Sequence, residues 1–178
     1  MAISMTSTPI GVTEAASAAA HFTHTTISRA FSRFLGALAS YIEAERDIED
    51  VASFDPAFLD WHRDAETARD TVRARIDEIR AAVSTRAEDQ PLKRMALLIS
   101  ALINSGSSAE FLSLQMSFKR HAKLFTCAGT DATARRVRQM LYTAGLRLDD
   151  LAGLSACVDP AEFDDPQANV GLTVPAPT

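Results

Sequence analysis

A chain of 178 residues that is 47% hydrophobic, 23% charged and 7% aromatic has the composition of one globular domain, long enough to bury a core without disulfide or metal staples. Seven glycines, seven prolines and two cysteines exclude a collagen-like chain and a disulfide scaffold. A formal charge of −5 argues against a surface devoted wholly to nucleic acid, while local basic patches stay compatible with it.

Residues 1–22 are rich in Ser, Thr and Ala, carry Pro9 and Gly11 and lack apolar periodicity, so they read as a flexible N-terminal tail. They lack the basic and continuous apolar segments of a secretory signal. From Thr25 the pattern changes. Ile27, Phe31, Phe34, Leu38, Tyr41 and Ile48 recur at helical steps and predict a first helix to about Asp50, with Glu45 breaking the stripe. Its acidic end, residues 43–50, sits against the helix dipole and is expected to fray or find partners.

Asp55-Pro56 predicts the start of a second helix, an Asp cap followed by Pro at the first helical position. Its apolar stripe is Phe58, Trp61, Ala65, Ala68, Val72, Ile76, Ile79 and Val83, and the alternating Arg and Asp residues around it read as a solvated face. Asp89-Gln90-Pro91 predicts a third start of the same kind. The helix after it is apolar nearly all round from Leu92 to Ile103 and requires cover on most sides. Ser107 and Glu110 have the spacing of a capping box, predicting a fourth helix from about Ser108 to Phe125 with a stripe of Phe111, Leu114, Phe118, His121 and Phe125. Gly129-Thr130-Asp131 supplies a break and a new cap. Val137, Met140, Leu141, Ala144, Leu148 and Leu151 then mark a fifth helix, weakened at Gly145.

Beyond Gly153 the pattern decays into a Pro-containing acidic C-terminal tail, residues 155–178, in which Asp159-Pro160 could cap one short turn. No run of strict apolar alternation appears. The expected class is all-α, a single bundle of four to five helices over residues 23–154, with no repeat of solenoid period.

Catalytic and cofactor signatures are missing. The residues three before the four histidines are Ala18, His21, Leu59 and Phe118, so no Glu-x-x-His di-iron element exists. His21 and His24 are spaced for one helix side but have no further ligand nearby, and no metal site is expected. His121 shares the predicted apolar face of the fourth helix beside Arg120 and Lys123, which makes it the one residue on which a ligand- or cofactor-binding bundle would centre, as a haem ligand, a phosphoryl acceptor or an acid/base group. The plainer reading of His121 is a residue at the core edge. No nucleophile elbow, Walker loop or Rossmann glycine pattern is present, and no cofactor is expected. Cys127, near the negative end of a helix, and Cys157 are isolated; they read as buried small hydrophobes rather than reactive thiols or a bridge.

Lys119, Arg120 and Lys123 on the fourth helix and Arg135, Arg136 and Arg138 on the fifth are the candidate polyanion contacts, although the arginines do not all share one helix side. The acids at 159–165 could fold back over this patch. Well-formed helices without a catalytic set point to a non-enzymatic protein–protein interaction or self-associating module, with Tyr41, Phe58 and Trp61 as core residues first and surface anchors second. A nucleic-acid-associated regulator is the alternative. No apolar run approaches the roughly 18 to 20 residues of a bilayer span. Arg in preference to Lys, frequent Ala and isolated cysteines make a bacterial cytoplasm the expected setting.

Overall fold

The computed structural model describes residues 23–49 and 56–154. The expected tails lie outside these residues, as do His21, the Asp55 cap, Cys157 and the acids at 159–165.

The described chain is all helix and turn, with no strand among the described residues. Five α-helices come in order: α1 (Thr26–Glu49), α2 (Phe58–Ala81), α3 (Asp89–Ile103), α4 (Ser108–Arg120) and, after a 3-10 turn at Ala122–Phe125, α5 (Ala132–Ala152). The expectation of an all-α bundle holds. α1 and α2 form the most extensive pair, and the ion pair from Arg33 to Glu78 joins the early part of one to the late part of the other, an antiparallel hairpin. α3 runs antiparallel to α2: Lys93 Nζ donates to the Arg80 carbonyl at 3.1 Å near one end, and Arg69 Nη2 donates to the Ile103 carbonyl at 2.7 Å near the other. α5 closes the bundle against α1 and α3, with its end tied to the end of α1 by Arg46 and Asp150 at 3.2 Å.

The core sits where the predicted stripes converge. Ile27, Phe31, Phe34 and Leu38 of α1 are fully buried, with the two phenylalanine rings tilted at 57° and 5.4 Å apart. They meet Val72 and Ile76 of α2, Leu92 and Ile99 of α3, and Ala144 and Leu148 of α5 in one continuous apolar cluster. Each such Leu, Ile or Phe contributes about 1.5–3 kcal/mol when removed from water.

Local chemistry explains the helix ends. The Ser107 hydroxyl accepts from Glu110 N at 3.2 Å, and the Glu110 carboxylate reaches back to accept from Gly106 N at 2.9 Å, a capping box displaced by one residue. Asp131 Oδ1 accepts from Ala134 N at 2.7 Å, and Gly129 ahead of it takes φ +104°, a conformation that a side chain would strain.

Three expectations are corrected. The α2 stripe does not run its full length: Trp61 is 42% exposed and Val83 is 78% exposed, because the start of α2 faces the polar end of α1 and Val83 lies beyond the last helical turn. Phe58 is likewise only half-buried, whereas Tyr41 is in the core. Asp89 does not cap the amides after it, since it already lies within the first turn of α3: its own amide and that of Gln90 are bonded to the carbonyls of Arg86 and Ala87, and Pro91 has no N–H to cap. Its buried carboxylate turns backward instead and accepts from Thr85 N, Arg86 N and Thr25 Oγ1. The cover expected on most sides of α3 is present, with Leu92, Met95, Ala96, Ile99, Leu102 and Ile103 buried, and Leu97 is left 46% exposed. The fourth helix stops at Arg120, and the tighter 3-10 turn shifts the angular phase of residues 122–125 relative to α4.

Candidate interaction cleft

His121 stands where α4 gives way to the 3-10 turn. It ends α4 with φ −108° and ψ 28° and its side chain is exposed, off the apolar stripe that the spacing predicts. Phe118 and Phe125 remain on that side, their rings edge to face at 4.9 Å and 72°. They form one wall of a cleft of about 480 Å³ whose other wall is α5.

The α5 wall is built by helical spacing. Arg138, Leu141, Tyr142, Gly145, Leu146 and Asp149 all line the cleft. At 100° per residue these positions occupy an arc beside the core stripe of Val137, Ala144 and Leu148, so α5 is apolar over a wider arc than its own bundle covers. Tyr142 is 69% exposed and Leu146 48% exposed. Between them Gly145 leaves open space, since a Cβ there would meet nothing within 4 Å. Met95 of α3 lies at the cleft's base. The charges stand at the two ends of the α5 stripe, about three turns apart.

Arg138 also holds the cleft's rim in place. Its Nη1 donates to the carbonyls of Cys127 at 3.2 Å and Gly129 at 2.6 Å, pinning the α4–α5 connection to α5. Arg94 Nη1 donates to the Leu124 carbonyl at 3.1 Å and fixes the 3-10 turn from the α3 side. Cys127 is buried beneath this loop and its thiol donates to the Ala128 carbonyl at 3.4 Å. Burial pushes its pKa up, Glu88 adds to the rise, and Arg138 only partly offsets it. A protonated, covered thiol is a poor nucleophile.

The candidate polyanion contacts are distributed over different surfaces. Arg138 lines the cleft, Arg136 lines a groove with Ser32 and Leu35 between α1 and α5, and Arg120 borders a shallow depression with Leu112 and Met116 on the outer face of α4. Arg136 Nη1 is bonded to Gln139 Oε1 at 2.8 Å. Lys119, Lys123 and Arg135 are exposed. No group of three metal-ligating side chains occurs among the described residues, and the exposed His24 has Ser28 Oγ 3.4 Å from its Nδ1. Among the described residues no helix is long and apolar enough to cross a membrane.

Sequence reasoning named Arg138 but passed over Tyr142 and Leu146. Their signal was present as a second stripe, offset by one residue from the core stripe, with Gly145 at its centre. No family model, curated protein or solved structure matches this chain.

Proposed function

We propose that this chain is a non-enzymatic protein-interaction module that seats an apolar helix of another protein chain, a second copy included, in the cleft beside α5. The observation that carries the reading is the exposed α5 stripe of Tyr142, Gly145 and Leu146, apolar in the middle and charged at both ends. A helix laid in a groove uses such features: apolar anchors at helical spacing give affinity and terminal charges fix direction. Gly145 lets a partner backbone approach closely. Covering the remaining exposure of Tyr142 and Leu146 contributes about 1 kcal/mol each. The nucleic-acid alternative lacks a comparable concentration of charge, with Arg120, Arg136 and Arg138 on separate depressions. A bacterial cytoplasm as the setting rests on composition and the isolated cysteines.

The test is selection from a displayed library of amphipathic helical peptides, using the full chain and its Leu146→Glu variant. The expected result is enrichment of peptides with apolar residues three and four apart that the variant no longer retains. Absence of enrichment, or equal retention by both, would overturn the reading.

A further inference from the structure

The α5 stripe is self-complementary. Arg138 and Asp149, and Tyr142 and Gly145, form two pairs, and each pair is centred on the same point, midway between Thr143 and Ala144. Each pair also matches in kind: a cation with an anion, and a large ring with the residue that has no side chain. A two-fold axis through that midpoint, perpendicular to the helix, sets each member of a pair opposite the other member on an antiparallel second copy. This is the condition for an isologous interface.

We propose that the cleft is occupied by α5 of a second copy of this chain, packed antiparallel about a two-fold axis between Thr143 and Ala144. The inference rests on the interaction reading above and names its partner. The Tyr142 ring of each copy fills the open space over Gly145 of the other, where nothing of the same chain beyond the adjacent residues and α5's own backbone stands within 4 Å of the missing Cβ. Arg138 of each copy meets Asp149 of the other. The Asp149 carboxylate has no ion pair among the described residues, and Arg138 bonds only to loop carbonyls through Nη1, which leaves Nη2 and Nε for the partner. No like charges on α5 are brought face to face, because the exposed Arg135 falls opposite Ala152 under the same symmetry.

Charge exchange tests the geometry in the full chain. Asp149→Arg sets arginine against arginine at both ends of its own dimer, and Arg138→Asp sets aspartate against aspartate. An equimolar mixture of the two variants restores both opposite-charge pairs in the heterodimer. Sedimentation velocity over about 1 to 100 µM is expected to show a wild-type dimer whose Kd rises about tenfold or more in each variant alone and returns to within about threefold of wild type in the mixture. Arg138→Asp also removes two loop contacts, so a second pair guards against a folding defect: Gly145→Leu alone weakens the dimer, and mixing it with Tyr142→Ala restores it. A wild type that stays monomeric, or variants that associate as wild type does, would overturn the inference. Peptide capture by the cleft without self-association would leave the interaction reading standing and this one refuted; loss of both would remove both.

Discussion

Asp89 is the most consequential polar residue of the bundle outside the cleft, and its removal gives a sharp test of how the helices are joined. Its side chain is nearly fully buried, yet it belongs to no ion pair among the described residues. One oxygen accepts from Thr25 Oγ1 at 2.6 Å, just before α1; the other accepts from Thr85 N at 2.9 Å and Arg86 N at 3.1 Å in the α2–α3 connection. A single carboxylate therefore joins three segments. Asp89→Ala strands these three donors, each worth about 1–3 kcal/mol when left unsatisfied, and loses a longer contact from Thr85 Oγ1 at 3.4 Å. Because Thr85 and Arg86 are exposed enough for water to reach them, the lower end applies, and the expected loss is about 3 kcal/mol. For a chain of this size that lowers the thermal midpoint by about 6–12 °C. Asp89→Asn keeps one acceptor and loses the charge, with an expected cost near half of that, about 1.5 kcal/mol. Asp70→Ala is the control: its pair with Arg73 at 3.4 Å is exposed and contributes only a few tenths of a kcal/mol. Urea unfolding monitored by circular dichroism reads all three. An Asp89→Ala midpoint indistinguishable from that of Asp70→Ala would refute the role assigned to the carboxylate.

The same substitution at two glycines is expected to act in opposite directions. Gly36→Ala, in the middle of α1 with nothing within 4 Å of the new Cβ, stabilises by about 0.5–1 kcal/mol, whereas Gly129→Ala, at φ +104° and 3.2 Å from the Ala134 Cβ, destabilises by about 1–2 kcal/mol. Thermal melts of the two variants check this, and a shared sign would contradict the backbone account. Cys127, studied in a Cys157→Ser background, is expected to react with a thiol reagent far more slowly in the native chain than in urea. Its folded pKa lies above the ordinary 9.0, so the native state holds the proton that the unfolded state releases; the resulting stability is full below the unfolded pKa and is lost as pH rises through the folded one. Equal labelling rates in the two states, or a chain that gains stability from this thiol as pH rises through that window, would refute its burial.

Much of the fold was legible because its signals are local and repeated. The stripes Ile27–Phe31–Phe34–Leu38 and Val137–Leu141–Ala144–Leu148 each hold a constant phase over several turns, and all eight residues are buried. Ser107 with Glu110 and Asp131 after Gly129 carry their caps within a few residues. The misreadings depended on neighbours distant in sequence. Periodicity alone gives Trp61 the same standing as Ile76, but only the second faces an apolar part of α1. The third helix's Asp89 resembles a forward cap until the preceding turn, bonded to the amides of Asp89 and Gln90, is seen to place it inside the helix. His121 lost its place on a stripe because α4 ends at Arg120, one residue before it, which nothing in residues 119–125 announces.

The arginines of α2 show how far a solvated face can mislead. Their alternation with aspartates is borne out in the pairs Arg63–Asp60, Arg73–Asp70 and Arg80–Asp77, yet each of these is one turn long and exposed, and together they add little to stability. The structural work lies in the bonds that leave the helix: Arg69 to the Ile103 carbonyl and Arg73 Nη2 to Asn104 Oδ1 at 3.0 Å, both at the end of α3, where carbonyls lack helical partners. Lys93 does the same for the end of α2 and Arg138 for the connection into α5. Arg69, Arg73, Arg86, Lys93, Arg94 and Arg138 are thus used to close helix ends and loops. Of the six candidate polyanion contacts only Arg138 is used in this way, and its charge, opposed to that of Asp149 at the other end of an exposed apolar stripe, is the one on which the proposed self-association turns.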